Sequence, residues 1–268
     1  MAASPASELL DAFTAEVRRA AHSLSHEQVH NLRVAIRKLT QALAVVDAPP
    51  KHIGQIRHRL KIIMRFAGKT RDYDIAIRLA QKVQASRRFL SRLRRRRAEA
   101  AKALALDVQK WLDLNTSARW HATLGTAHPS SSADRVLLKA VKRLFKRGES
   151  AEDSNKKLHP LRIAAKKLRY TLDLLDTPDA AHLEQIKELQ KRLGDINDYE
   201  TARRIAAEEL AGKRVIARLG EKQDKKVRSF RRYWEREFSG KKHRQEWRKV
   251  TLQAAPSRSR AHERQGAA

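Results

Sequence analysis

Two ten-residue segments of this chain place a histidine, arginines and lysines at helical spacing, a set of side chains suited to holding phosphate or other oxyanions. The first is His30-Asn31-Leu32-Arg33-Val34-Ala35-Ile36-Arg37-Lys38-Leu39, and the second is His159-Pro160-Leu161-Arg162-Ile163-Ala164-Ala165-Lys166-Lys167-Leu168. Six of the ten positions are identical. At about 100° per residue, His30, Arg33 and Arg37 form one narrow stripe, as do His159, Arg162, Lys166 and Arg169 in the second copy. Leu32, Ile36, Leu39 and Leu43 occupy the adjoining face, so each helix is expected to bury one side and charge another. Like charges three or four residues apart cost a helix roughly 0.2–0.5 kcal/mol per pair. Repeating that arrangement points to a polyanion that occupies the stripe. An anion bound there should favour charged histidine, whose ordinary pKa is about 6.5, and so bind more tightly at mildly acid pH.

The elements that carry these residues repeat as well. Gly68-Lys69-Thr70-Arg71-Asp72-Tyr73-Asp74-Ile75-Ala76-Ile77-Arg78 aligns with Gly194-Asp195-Ile196-Asn197-Asp198-Tyr199-Glu200-Thr201-Ala202-Arg203-Arg204. The two offsets are nearly equal, 129 residues for the histidine segment and 126 for the glycine segment, which identifies a tandem duplication. Each half reads as about four helices, at 7–23, 27–46, 52–67 and 71–110, then at 133–147, 156–175, 179–193 and 198–236. Gly212 or Gly220 is the expected break in the last of these. Pro49-Pro50 and Pro178 mark matching breaks after the histidine helices. Gly68 and Gly194 are expected to close the third helix of each half, with Asp72 and Asp198 capping the fourth. The domain organisation is therefore 7–112 and 133–238 joined by a linker at 113–132, with a basic, disordered tail at 239–268.

The third helices extend the charge. Arg57, Lys61 and Arg65 share a face, and the last two align with Lys187 and Lys191. Lys69 and Arg71 follow at the next turn, but their counterparts are Asp195 and Asn197, so the first half is the more basic. Arg92 to Arg97 put five arginines in six residues inside a long helix, and read as a general electrostatic patch. The acidic group Asp72, Asp74, Asp198 and Glu200 reads as capping or arginine-pairing before it reads as catalytic or metal-binding. Trp111, Phe230, Tyr233 and Trp234 read as core, and Trp247 is unassigned.

Composition agrees with this picture. The 268 residues carry 59 Lys and Arg against 30 Asp and Glu, a formal charge of +29, which attracts polyanions of any kind. Hydrophobic residues make up 41% and aromatics only 5%, enough for a helical core and poor in strand formers. The absence of cysteine removes disulfides and thiolate chemistry and suits a reducing compartment. No signal peptide or membrane span is apparent, so a cytoplasmic protein is expected. Walker, HExxH, dinucleotide-binding and Gly-x-Ser-x-Gly motifs are missing, and neither an enzyme active site nor a cofactor is expected.

The duplicated His-x-Leu-Arg-[Val/Ile]-Ala-x-[Arg/Lys]-Lys-Leu, each followed by Gly-x-x-x-Asp-Tyr-[Asp/Glu], resembles the CHAD domain, the conserved histidine α-helical domain, over roughly 7–238. The resemblance implies an all-α fold of two four-helix bundles related by a pseudo-twofold axis, with basic faces lining a shared groove or pore. It also implies binding of inorganic polyphosphate and association with polyphosphate granules and their proteins. The ligand contacts it implies are His30, Arg33, Arg37, Lys61 and Arg65 from one half. The other half supplies His159, Arg162, Lys166, Arg169, Lys187 and Lys191, and Arg57, Lys69 and Arg71 are additions from the first half alone. The Glu-x-Glu-x-Lys motif of the triphosphate-hydrolysing CYTH domain, a frequent fusion partner, is missing. Thr40 replaces the arginine found at 169, and Pro160 falls inside the second motif. From charge alone, nonspecific binding of nucleic acid is the alternative reading.

Overall fold

The computed structural model describes all residues except 1–4, 45, 48, 125–127, 130–132, 153, 175–179 and 254–268. Ten α-helices follow in order: α1 Pro5–His22, α2 His26–Ala42, α3 Pro50–Lys82, α4 Arg87–Asp113, α5 Thr116–Leu124, α6 Ala133–Glu152, α7 Leu158–Leu174, α8 Ala180–Glu208, α9 Lys213–Glu237 and α10 Lys241–Gln253. The fold is all-α, with one minimal exception. Val46–Asp47 pairs antiparallel with His128–Pro129 over two residues. The chain divides into two compact units, residues 1–130 with 197–224, and residues 131–196 with 225–268. Helices α8 and α9 are each divided between them.

In the first unit, the apolar stripe of α2 (Leu32, Ile36, Leu39) packs against Ile56, Leu60 and Ile63 of α3 and Leu104 and Val108 of α4. Phe13, Trp111 and Trp120 complete this core, with ring centroids 5.4–6.0 Å apart. Ser25 caps α2 by accepting a hydrogen bond from the Gln28 backbone N–H at 3.2 Å, which fixes where the histidine helix begins. Pro50 opens α3 at the position where a missing N–H costs nothing. Pro178 lies outside the described residues.

Neither Gly68 nor Gly194 ends a helix. Helix α3 runs unbroken from Pro50 to Lys82, and α8 from Ala180 to Glu208, so the expected boundaries at 67–71 and 193–198 do not exist. Asp72 and Asp198 are accordingly mid-helix residues, not caps. The helices continue because their second halves bury a further apolar face. Ile75, Ala76, Leu79, Ala80 and Val83 pack with Tyr199, Ala202, Ile205, Ala206 and Leu219 in a second core of the first unit.

The polar contacts around this core exchange partners across the 126-residue offset. Arg78 pairs with Asp198 at 2.9 Å, while its counterpart Arg204 pairs with Asp72 at 3.7 Å. Arg92 donates to the Glu209 carbonyl, and its counterpart Arg218 donates to the Val83 carbonyl at 3.1 Å. Helices α3 and α8 also end alike. Gln84 and Leu210 adopt left-handed φ values of 57° and 51°. Ala85 N–H then reaches Ala80 O at 2.9 Å, and Ala211 N–H reaches Ala206 O at 2.8 Å, the backbone pattern of a Schellman cap. The break expected near Gly212 is this second turn.

In the second unit, Leu161, Ala165 and Leu168 of α7 pack with Leu144 of α6, Ile186, Leu189 and Leu193 of α8, and Phe230 and Trp234 of α9. Gly148 on α6 is required by close approach. A Cβ there would stand 1.8 Å from the Trp234 ring, which lies against that backbone. Trp111, Phe230, Tyr233 and Trp234 are core residues, as expected. Two expectations of irregular chain do not hold. The 113–132 segment includes α5, anchored by the buried Trp120. The tail includes α10, whose Trp247 is 1% exposed. The Trp247 ring stacks on Phe238 at 6.1 Å, meets His182 edge-on at 4.7 Å, and donates its indole N–H to Gln185 Oε1 at 3.0 Å. The ring is thus buried with its polar edge satisfied. Residues 254–268 lie outside the described residues.

Candidate anion-binding site

The histidine segments lie on α2 and α7, helices of 17 residues each. On α2 the core residues Leu32, Ile36 and Leu39 point inward, and His30, Arg33 and Arg37 lie about 130° away. Gly68 explains how Arg33 is accommodated. A Cβ built at Gly68 would fall 3.0 Å from Arg33 Nη1, tighter than most real contacts, so the guanidinium lies against the glycine and would have to give by a few tenths of an ångström for any larger residue. The glycine of the second motif is a seat for the arginine of the first. By helical position Lys61 and Arg65 flank Gly68 on the same side of α3, with Lys69 turned further outward.

Electrostatics around His30 distinguish this cluster from an ordinary solvated helix face. His30 is exposed, yet its pKa is held below 6.5, first by partial desolvation against its neighbours and then by Arg71, Arg37, His26 and Arg33, in that order. Three of those neighbours are arginines, and His26 adds a like charge only when it is protonated. His26, one helical turn earlier, is lowered in the same way, first by burial and then by Arg71, with Asp74 opposing and Arg78 and Arg97 adding to the effect. Arg71 donates to His26 Nε2, a bond that requires an unprotonated ring nitrogen and so agrees with the lowered pKa. Burial also lowers the Arg71 pKa, with Asp74 and Asp198 opposing. His26 was missed in the sequence because Asn155 stands at the matching position of the second copy. Its spacing of four from His30 was the available signal.

Other first-unit candidates are partly committed elsewhere. Arg57 donates to the Leu43 carbonyl at 2.7 Å, closing the end of α2. Arg65 lies over the Phe66 ring at 5.2 Å. Within the arginine run, Arg92 and Arg96 hold Glu209, and Arg97 pairs with Asp74 at 3.0 Å. Arg94 and Arg95 are exposed. Much of that run therefore ties elements together, and the nearby carboxylates hold arginines in place. Among the described residues, no three His, Cys, Asp or Glu side chains gather where a metal ion could be held.

In the second unit, Pro160 sits in the first turn of α7, where it is tolerated, and His159 is exposed beside it. Arg162, Lys166 and Arg169 follow on the same stripe, half-buried. Arg169 also pairs with Asp173 at 3.5 Å and lies over the Tyr170 ring at 4.7 Å. Lys187 pairs with Glu184 at 3.4 Å and Lys191 with Glu188 at 3.6 Å, so both keep a local carboxylate. Gln190 donates to Ala165 O at 2.8 Å and marks the side of α8 that faces α7. Lys191 instead lines a cleft of about 200 Å³ with Asp195, Lys226 and Ser229.

Fold and site together define an all-helical protein in which two helices each carry a histidine-led basic stripe. The chain matches the CHAD domain over residues 6–207 and belongs to that family, which is associated with polyphosphate. The crystal structure of the CHAD domain from the plant Ricinus communis superposes with a TM-score of 0.58, at 20% identity over 92% of this chain and 88% of that one. PptA from Streptomyces chartreusis gives a TM-score of 0.60, at 16% identity over 86% of this chain and 96% of that one. At these identities the likeness establishes the fold. No curated protein matches the sequence significantly. No helix among the described residues is long and apolar enough to cross a membrane.

Proposed function

We propose that this protein is a non-enzymatic binder of inorganic polyphosphate, acting through the stripes of α2 and α7 and residing on cytoplasmic polyphosphate granules. The observation that carries the reading is the crowding of three arginines and a second histidine around His30. A helix face that faced only water would gain nothing by crowding Arg33, Arg37, Arg71 and His26 around one imidazole. A polyanion converts that repulsion into attraction. The stripe recurs on α7, and the partner-exchanging bonds around α3 and α8 support a tandem duplication of four-helix repeats.

Binding is multivalent neutralisation. Each fixed cation meets a successive phosphate, and release of condensed counterions contributes entropy. Arginine forks can engage phosphate oxygens bidentately, while the lysines act as point charges. Arg33, Arg37 and Arg162 supply the forks, and Lys166 and Lys61 the point charges. The ligand is recognised along its length, so affinity should grow with the number of phosphates.

Competition near physiological salt tests the reading, with labelled long-chain polyphosphate displaced by short polyphosphates, duplex DNA or single-stranded RNA. Retention of the long chain against nucleic acid at matched phosphate concentration is expected. Equal displacement by DNA or RNA would make the +29 charge a nonspecific attractor and favour a nucleic-acid binder.

A further inference from the structure

The second unit contains another basic concavity that shares no residue with the stripes. Helices α6 and α10 border an open cleft of about 620 Å³, within the range of about 300–1,000 Å³ common for ligand sites. Its walls carry Lys142 and Lys146 from α6, and Lys241, Arg244 and Arg248 from α10. Among the described residues of the lining, Glu149 is the single carboxylate, and Arg244 engages it. Among the described residues, Lys142, Lys146 and Lys241 form no ion pair.

This charge is built in by the packing. Positions 241, 244 and 248 fall on one face of α10, and 142, 146 and 149 on one face of α6. Trp247 lies about 100° from Arg248 and fixes the rotation of α10 by burying its ring against Phe238 and His182. The basic face is thereby turned onto α6, cation against cation. Lys142, Lys146, Lys241 and Arg248 are exposed side chains that converge on this cleft from two helices, so an anion seated there is attracted to all of them. The floor is closed, since Phe145 is 6% exposed. No aromatic face is therefore offered for stacking a nucleobase, the usual device for binding single strands.

We infer that the α6–α10 cleft is a second anion site, taking a short run of phosphates of an inorganic oligophosphate or polyphosphate chain. Lys142, Lys146 and Lys241 supply point charges to the phosphate oxygens, and the Arg244–Glu149 pair holds one wall in place. The site depends on α10, which lies beyond the 6–207 span of the CHAD match. Its presence does not require the stripes to bind polyphosphate.

The test uses the full chain in three forms: unaltered, with Arg33→Ala, Arg37→Ala, Arg162→Ala and Lys166→Ala, and with Lys142→Ala, Lys146→Ala and Lys241→Ala added to those four. Linear inorganic tetraphosphate is titrated calorimetrically, and lysine acetylation is followed by mass spectrometry. In the fourfold variant, tetraphosphate should slow acetylation of Lys142, Lys146 and Lys241 at least fivefold relative to the exposed Lys222. The added substitutions should weaken the remaining binding at least tenfold, with helicity unchanged by circular dichroism. Unslowed acetylation at the three lysines, or tetraphosphate binding indifferent to their removal, overturns the assignment. Equal protection by single-stranded RNA at matched phosphate concentration also overturns it, in favour of a nucleic-acid groove. If the stripes prove not to bind phosphate, the fourfold variant behaves as the unaltered chain, and the acetylation pattern still decides the cleft.

Discussion

Replacing Gly68 with alanine should stabilise the protein and weaken its grip on polyphosphate at once. Gly68 lies in the interior of α3, where exchanging glycine for alanine contributes about 0.5–1 kcal/mol of stability. The new Cβ would lie 3.0 Å from Arg33 Nη1, so the guanidinium must give way by a few tenths of an ångström. It is the far end of a flexible side chain, and folding tolerates that shift. The net effect is a rise in Tm of about 1–4 °C. Ligand binding is less tolerant. A charge-assisted hydrogen bond is worth about 1.5–3 kcal/mol, and misaligning the fork forfeits some part of it. Polyphosphate affinity should therefore fall by a factor of about 3 to 30, up to about 2 kcal/mol. Gly194→Ala is the matched control, because no atom lies within 4 Å of a Cβ built there. It should raise Tm by a similar amount and leave affinity alone. Differential scanning calorimetry and fluorescence titration on the two variants suffice. The reasoning is refuted if Gly68→Ala binds as the unaltered chain does, or if Gly194→Ala weakens binding equally.

Further consequences follow from the same contacts. The pKa values of His26 and His30 lie below 6.5 in the free protein, and a bound polyanion raises them, so binding takes up protons. Affinity should rise as pH falls through the bound-state values and level off below the free-state ones; His26→Asn with His30→Asn should flatten that dependence in titrations between pH 5 and 8. The Tyr73 pKa is raised by burial first and then by Glu209, which accepts its hydroxyl proton at 3.3 Å. Glu209→Gln should bring it back toward the ordinary value near 10, read by ultraviolet titration of the phenolate. Trp247→Ala removes a buried ring and should cost about 3–5 kcal/mol, with amide exchange of α10 rising well before that of α7. Unchanged exchange in α10 would mean that Trp247 does not anchor it.

The histidine helices were legible in the sequence because two independent signals agreed. Leu32, Ile36 and Leu39 gave the buried face, and the repetition at 159–168 gave the charged one. The glycines were read by their commonest use and not by the one they have here. A glycine after an apolar run suggests a helix end, but Gly68 accommodates an arginine from another helix, a contact invisible to local pattern. Asp72 and Asp198 had the residue type of a cap, yet each answers an arginine 132 or 120 residues away. The run Arg92 to Arg97 read as one patch, whereas Arg92 and Arg96 hold Glu209 and Arg97 pairs with Asp74. Helix α10 was hidden because its apolar residues, Trp247, Val250 and Leu252, all fall in its second half behind a run of charges, too little for an amphipathic pattern. His26 was hidden for the opposite reason, since it lies outside the repeated pattern and its counterpart is Asn155.

The most direct measurement of the central claim is polyphosphate binding by the Arg33→Ala, Arg37→Ala, Arg162→Ala, Lys166→Ala variant across a salt series. Losing four phosphate contacts should make the slope of log K against log salt shallower by roughly three. Affinity near physiological salt should fall at least a hundredfold while helicity is retained. An unchanged slope with affinity within threefold of the unaltered chain would place the polyanion somewhere other than the two histidine helices.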